Sequence, residues 1–274
     1  SIIKPAVAAH GLDIGIITTA SIVNSSGGIQ VAEWFFGDWK VGGHGITDVI
    51  KALSESVNTF FYVYGGGYKE TRGMGLKGLT NAFKSFGVGS KLGLDLPGEN
   101  AGFIPDEEWK QKVKGESWYI GDTYNLSIGQ GDLLITPLQA AEMAATIANG
   151  GILYKPHIVK AVKDTSTGLT QNIDPQIINP AAANLKSISI VQKGMRSCVE
   201  VGSCRSLLLY FAAGKTGTAE WSSTKPNHAW FIGYFPAVSP KIAFSVMVEE
   251  GGEGSSAAAP IAKRLIEWYS INRP

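Results

Sequence analysis

Two hydrophobic periods divide this chain, and the switch between them limits the available folds more than any single motif does. In the first part, apolar residues recur at helical spacing. Residues 46–64 read as a helix through Val49, Ile50, Leu53, Val57, Phe60 and Phe61, ended by Gly65 to Gly67. Residues 74–86 form a second helical pattern, closed by Gly87. Thr136-Pro137 opens a third with a capping hydroxyl and a proline at the first helical position, and Asn149-Gly150 ends it. Residues 190–199 read as helical too.

Beyond them the period changes. Residues 207–212, 229–235 and 242–249 are β-rich runs separated by turn residues such as Asn227 and Ser239-Pro240-Lys241, and residues 258–271 form a closing amphipathic helix. Helices followed by a meander of strands argue for an α+β domain built on an antiparallel sheet flanked by helices. The helical part is expected over roughly residues 1–200, and the strands with the last helix over roughly 205–274.

Composition excludes several classes. At 274 residues the chain is one large domain or two small ones, and 44% hydrophobic against 17% charged is an ordinary globular balance. A net charge of +1 gives no footprint for nucleic acid or an anionic membrane surface. No segment approaches the run of about 18 apolar residues needed to span a bilayer, and no signal peptide opens the chain. If the protein works outside the cytoplasm, its export or anchor segment is not in this sequence. The four histidines are scattered and no Cys/His cluster has zinc-ligand spacing, so neither a metal nor another cofactor is expected. Cys198 and Cys204 flank a short segment containing Gly202; a local disulfide and two free thiols both stay open at this point.

Three short motifs carry chemistry. Ser1-Ile2-Ile3-Lys4 puts a hydroxyl and an amine three residues apart, on one face of a helix. A lysine whose pKa is depressed can take the serine proton. Ser56-Val57-Asn58 offers a hydroxyl and an amide to one cleft if the backbone there is extended or turned; the plainer alternative is two polar positions in an amphipathic helix. Lys215-Thr216-Gly217-Thr218 on a strand edge suits a carboxylate, with glycine letting a ligand lie close to the backbone. Gly214-Lys215-Thr216 is not a phosphate loop, because Leu209 stands where that loop needs glycine. Each motif is weak alone. Ser-x-x-Lys occurs about once by chance in such a chain, and Ser222 to Lys225 and Ser270-Ile271-Asn272 are decoys. Order is what discriminates, since only Ser1/Lys4, Ser56/Asn58 and Lys215-Thr216-Gly217 give the triple set of β-lactamases and penicillin-binding proteins.

Longer stretches extend that likeness. They include Phe36 to Lys40 with Gly43-His44-Gly45, Leu94 to Glu99 with Gly102 and Pro105, and Trp118 to Asn125 with Ser127 to Gly131 and Thr136 to Gln139. His228 to Tyr234 and Glu249 to Ala262 complete it. Over nearly its whole length the chain resembles the transpeptidase domain of the elongation-type class B penicillin-binding proteins, the penicillin-binding protein 2 group. The resemblance implies the penicillin-binding/serine β-lactamase-like fold and a peptidoglycan D,D-transpeptidase that cross-links stem peptides through an acyl-enzyme and is inhibited by β-lactams. It implies Ser1 as nucleophile, Lys4 as general base, Ser56 as proton relay to the leaving amine, and Asn58 as a substrate ligand that also holds Lys4. Lys215, Gly217 and the hydroxyls of Thr216 and Thr218 would bind the terminal carboxylate, the Lys215 charge would lower the pKa of Lys4, and the N–H groups of Ser1 and Thr218 would form the oxyanion hole. Trp39, His44, Asp122, Gln130 and Trp230 are cleft or structural residues on this reading, and Glu220 is a candidate neighbour of the acceptor site.

The family also implies a setting. Its members work on the outer face of the cytoplasmic membrane, beside a glycosyltransferase of the SEDS family. They carry strands, a helix, a non-catalytic domain and a membrane anchor ahead of the nucleophile. On that basis a labelled penicillin is expected to acylate an upstream-extended protein and not the 274-residue chain alone. A D,D-carboxypeptidase, with water as acceptor, shares every motif. A class D β-lactamase or sensor domain would carry valine where this chain has Asn58. An N-terminal-nucleophile hydrolase would use the amine of Ser1 as base, but leaves the second and third motifs without a purpose.

Overall fold

The computed structural model describes residues 1–273. Helix α1 (Lys4–Asp13) is followed by four short strands, β1 (Val23–Ser25), β2 (Gly28–Val31), β3 (Trp34–Gly37) and β4 (Gly45–Thr47). Six helices come next: α2 (Val49–Ser54), α3 (Asn58–Gly66), α4 (Gly75–Ser85), α5 (Glu107–Trp109), α6 (Ile120–Ile128) and α7 (Pro137–Ala148). Strands β5 (Leu153–Tyr154), β6 (Ala161–Lys163), β7 (Thr170–Asn172) and β8 (Ile177–Asn179) lead to α8 (Leu185–Glu200). The chain closes with β9 (Ala213–Ala219), β10 (His228–Phe235), β11 (Ile242–Val248) and α9 (Ala259–Asn272). The first eight strands pair as four two-stranded antiparallel ladders, so the stretch expected to be helical also carries short β-structure.

The last three strands form the antiparallel sheet, in the order β11-β10-β9, with Phe231 opposite Thr216 on one side and Val246 on the other. Strand β10 is buried on both faces, and its two-residue period divides its side chains between two cores. Trp230, Ile232 and Tyr234 join the large core that also holds Met143, Ala144 and the buried face of α1. Ala229 and Phe231 join a smaller core with Ala259, Ala262 and Ile266 of α9. The sheet is therefore covered by helices on both sides, and β9 and β11 are its two edges.

Local sequence explains several boundaries. At α7, Thr136 Oγ1 accepts the N–H of Gln139 at 3.1 Å while Gln139 Oε1 accepts that of Thr136 at 3.0 Å, a reciprocal capping box ahead of Pro137. Gly87 ends the α4 segment at φ +83°, which suits glycine. Helix α8 is longer than its apolar pattern because Asn184 Oδ1 caps it at Ser187 N, 2.9 Å away.

Two sequence expectations are corrected. Residues 46–64 are not one helix: β4 occupies the start, and the helix breaks at residues 55–57 between α2 and α3. Residues 207–212 are not a strand. A 3₁₀ turn (Arg205–Leu207) runs into turn hydrogen bonds from Tyr210 N to Leu207 O and from Ala212 N to Tyr210 O, and β9 starts at Ala213. Leu207 is buried against Cys198 and Cys204 there, while Leu209 faces solvent, so the apolar run is split between core and surface.

Candidate active site

The break between α2 and α3 brings the first two motifs together. Ser56 has φ +60°, the left-handed region, which costs a non-glycine residue about 1–2 kcal/mol. What holds it there is tertiary. The Asp38 carboxylate, from the loop after β3, accepts the N–H of Asn58 at 3.1 Å, the N–H of Thr59 at 3.0 Å and the Thr59 hydroxyl at 2.8 Å. It thus caps α3, where a negative charge also meets the positive end of the helix dipole. Asn58 accordingly starts a helix, and Ser56 sits in the turn before it.

Lys4, in the first turn of α1 and wholly buried, reaches into this turn. Its amine donates to Ser56 O at 2.9 Å, Ser56 Oγ at 3.2 Å and Asn58 Oδ1 at 2.6 Å. Ser1 belongs to the same turn, its carbonyl accepting the N–H of Lys4 at 3.2 Å. Burial lowers the Lys4 pKa to about 7, with the nearby Asp38 charge acting the other way. Burial pushes the Asp38 carboxyl up, but its hydrogen bonds from Thr59 and Asn58 and the charge of Lys4 more than offset this and hold it below the ordinary value.

The third motif lies on edge strand β9. Lys215 is also wholly buried, and its amine donates to Thr216 O at 2.8 Å. Burial lowers its pKa well below that of a free lysine, and repulsion from Lys4 lowers it further. Burial is the main cause of the lowering at both lysines, and the like charges of Lys4 and Lys215 add a mutual repulsion. At Gly217 the strand passes beneath the start of α1. A Cβ there would lie 2.8 Å from Ile2 Cγ2 and 3.3 Å from Ile2 N, so only glycine allows the approach.

Ser1 lines two cavities. One, of about 770 Å³, is walled by Phe103, Trp109, Gln130, Thr218 and Trp230. The other, of about 490 Å³, contains Ser56, Asn58, Ser203, Thr216 and Thr218. Six of the motif residues, Ser1, Ser56, Asn58, Thr216, Gly217 and Thr218, therefore line one cleft between the helical region and the edge of the sheet, while Lys4, bonded to Ser56, and Lys215, next to Thr216, are buried beside it. The decoys fall elsewhere. Lys225 pairs with Glu250 on the surface at 2.9 Å, and Ser270 to Asn272 end α9.

The remaining sequence candidates separate. Gln130 crosses the cleft, Nε2 donating to Thr218 O at 3.3 Å. Trp39 lines the smaller cavity and donates through Nε1 to Glu55 O at 3.1 Å. Glu220 lines both cavities and Trp230 the larger. His44 is buried, with Nδ1 2.7 Å from Glu55 Oε2 and Nε2 3.6 Å from Asp38 Oδ1. Asp122 is structural, pairing with Lys110 at 2.6 Å and capping α6 at Tyr119 N. Sequence reading missed Asp38, Ser203 and Glu253. Glu253 accepts the Thr218 hydroxyl at 2.9 Å. Asp38 and Glu253 stand inside stretches that carried the resemblance, but neither lies in a motif. The two cysteines are bonded to each other, Cα–Cα 5.1 Å.

The Ser56 hydroxyl beside a buried low-pKa amine, with Ser1 in the same cleft and a second buried amine on an edge strand, fits a serine acyl-transfer site. Residues 1–267 match the family described as the penicillin binding protein transpeptidase domain, and the chain belongs to it. Its relatives point within that family. It is 34% identical over 296 residues to the peptidoglycan D,D-transpeptidase MrdA of Haemophilus influenzae, covering 100% of this chain and 44% of that protein. Pseudomonas aeruginosa PBP2, solved in complex with WCK 5153, is 34% identical with a TM-score of 0.85 over all of this chain and 61% of that one. Helicobacter pylori PBP2, solved in complex with MreC, is 29% identical with a TM-score of 0.84, matching 100% of this chain and 49% of that one. The chain thus spans a little under half the length of the curated relative.

Proposed function

We propose that this chain is the catalytic part of a peptidoglycan D,D-transpeptidase. The observation that carries the reading is the Lys4 amine, buried and bonded to both Ser56 and Asn58, in one cleft with Ser1 and the Lys215 strand. Ser1 Oγ attacks the carbonyl of the penultimate D-Ala of a stem peptide. Its proton passes to Lys4, and through Ser56 to the departing amine of the terminal D-Ala, as the C–N bond breaks and the ester forms. The N–H groups of Ser1 and Thr218 stabilise the oxyanion. An amine of a second stem peptide then displaces Ser1 and makes the cross-link; water in its place would make the same site a carboxypeptidase.

The two lysines divide the labour. As neighbouring buried amines they disfavour being protonated together. A substrate carboxylate arriving at Lys215, Thr216 and Gly217 draws the proton to Lys215, which leaves Lys4 neutral and able to act as base. Thr218 takes part through its backbone and through the hydroxyl held by Glu253. A β-lactam, which presents a carboxylate and a reactive carbonyl at similar separation, acylates Ser1 in the same way.

On this reading residues 1–274 form one transpeptidase domain that operates at the outer face of the cytoplasmic membrane, within a larger protein. The Cys198–Cys204 disulfide supports an oxidising location. Among the described residues no helix is long and apolar enough to cross a membrane. A SEDS-type glycosyltransferase and an MreC-like protein are the partners proposed for the larger protein.

The test is mass spectrometry of the intact protein after penicillin treatment. One adduct on the Ser1 peptide, absent in Ser1→Ala and lost slowly, is expected. An adduct elsewhere overturns the reading, and rapid turnover of the penicillin favours a β-lactamase.

A further inference from the structure

The Cys198–Cys204 disulfide closes a short loop that touches the third motif at Thr216 and, at Ser54, the segment leading into the second. Both cysteines are buried in the smaller core, and Cys204 N donates to Cys198 O at 2.9 Å. On one side the loop packs against Ser54, two residues before Ser56. Ser203 N donates to Ser54 O at 3.3 Å, Ser197 Oγ to Ser54 Oγ at 3.1 Å, and a Cβ at Gly202 would overlap the Ser54 carbonyl. On the other side Ser203 Oγ lies 2.6 Å from Thr216 Oγ1 and 3.3 Å from Cys198 Sγ. Ser203 and Thr216 line the cavity that holds Ser1.

Either oxygen of the short hydroxyl–hydroxyl pair can donate, and the sulfur favours one direction. A disulfide sulfur carries no proton and accepts only weakly. The better acceptor for the Ser203 proton is therefore Thr216 Oγ1. If Thr216 instead donated to Ser203, its only proton would be spent inside the protein. With Ser203 as donor, the Thr216 O–H is released to point into the cavity.

We infer that Ser203 is a positioning residue for the carboxylate site, held in place by the disulfide loop, and that it orients the Thr216 hydroxyl proton toward a ligand carboxylate. This rests on the reading of Lys215 to Thr218 as the carboxylate-binding strand. Ser203 touches no reacting atom and acts through Thr216. The same covalent loop sets the spacing between the Ser54–Asn58 segment and β9, which belong to different parts of the fold.

The test measures acylation rates of the intact protein with an acyl-D-alanyl thioglycolate, which bears a free carboxylate, and with its methyl ester. Wild type is expected to prefer the acid. Ser203→Ala is expected to slow the acid about tenfold, as for loss of one oriented hydrogen bond to a charged group, and to leave the ester within about twofold; Ser203→Thr restores the acid rate. Replacing both cysteines by alanine lowers the acid rate selectively, and adding Ser203→Ala to that background costs less than it does alone. An unchanged acid rate in Ser203→Ala, or an equal loss on acid and ester, overturns the assignment. Equal reactivity of wild type with acid and ester, with Ser1 still acylated, overturns the carboxylate reading and this inference with it. No acylation of wild type at all overturns the proposed function itself.

Discussion

Lys4 and Lys215 are both wholly buried amines beside one cleft, and burial lowers the pKa of each, yet their partners differ. Lys4 spends its donors on Ser56 O, Ser56 Oγ and Asn58 Oδ1, and has the Asp38 carboxylate nearby to support its charge. Among the described residues, the one hydrogen bond of Lys215 goes to the carbonyl of its neighbour Thr216, and the charge that perturbs it is the like charge of Lys4. Equal burial with unequal partners gives one amine held by several internal contacts and, on the proposed reading, another whose charge an external anion would complete. The lesson is that burial alone does not set a lysine's task; the groups that share the buried space do.

Three substitutions break or sharpen this contrast. The largest effect is expected for Lys4→Met, which keeps the volume and removes the base. Penicillin acylation of the intact protein should fall by about 10²–10⁴-fold, the usual contribution of a general base. A loss under tenfold would mean that Lys4 only organises the Ser56 turn.

Asp38→Asn comes next, with a loss of about tenfold at alkaline pH from weakened capping of Asn58 and Thr59. Its more telling readout is the pH profile. Lys4 works unprotonated, so acylation by the wild type should rise with pH through about 7. Removing the Asp38 charge removes the influence that raises the Lys4 pKa, so the rise should move to lower pH. A midpoint that stays put or climbs contradicts the electrostatic account.

The smallest effect belongs to Lys225→Ala, in the decoy Ser-x-x-Lys. Its pair with Glu250 is about half exposed, and such pairs contribute about 0.5 kcal/mol or less. Acylation should be unchanged; a loss would show that the exposed turn after β9 takes part in the site.

Much of the candidate site was legible because the motif residues follow the family's order along the chain, and order survives without coordinates. The sheet and its helices were legible because β10 and β11 are continuous apolar runs and because Thr136-Pro137 and Gly87 punctuate helices by local chemistry. The break at residues 55–57 was not, since the apolar spacing runs through it at helical period. It exists because Asp38, about twenty residues upstream, supplies the capping carboxylate that local sequence lacks. Ser203 was equally hidden, as an ordinary serine in a turn until a disulfide and β9 close around it. The true start of β9 was obscured by Leu207 to Leu209, whose apolarity serves a turn that buries one leucine and exposes another.

By itself, then, the sequence determined the α+β class, the identities and order of Ser1, Lys4, Ser56, Asn58 and Lys215 to Thr218, and the family to which they belong. Only the tertiary structure decided that Ser56 leaves the helix, that burial tunes Lys4, that Lys4 and Lys215 repel each other, and that a disulfide loop joins the segment before the second motif to the third. The reason is physical. Periodicity and capping act over a few residues, whereas desolvation, long-range charge and covalent closure depend on groups that meet only when the chain is folded.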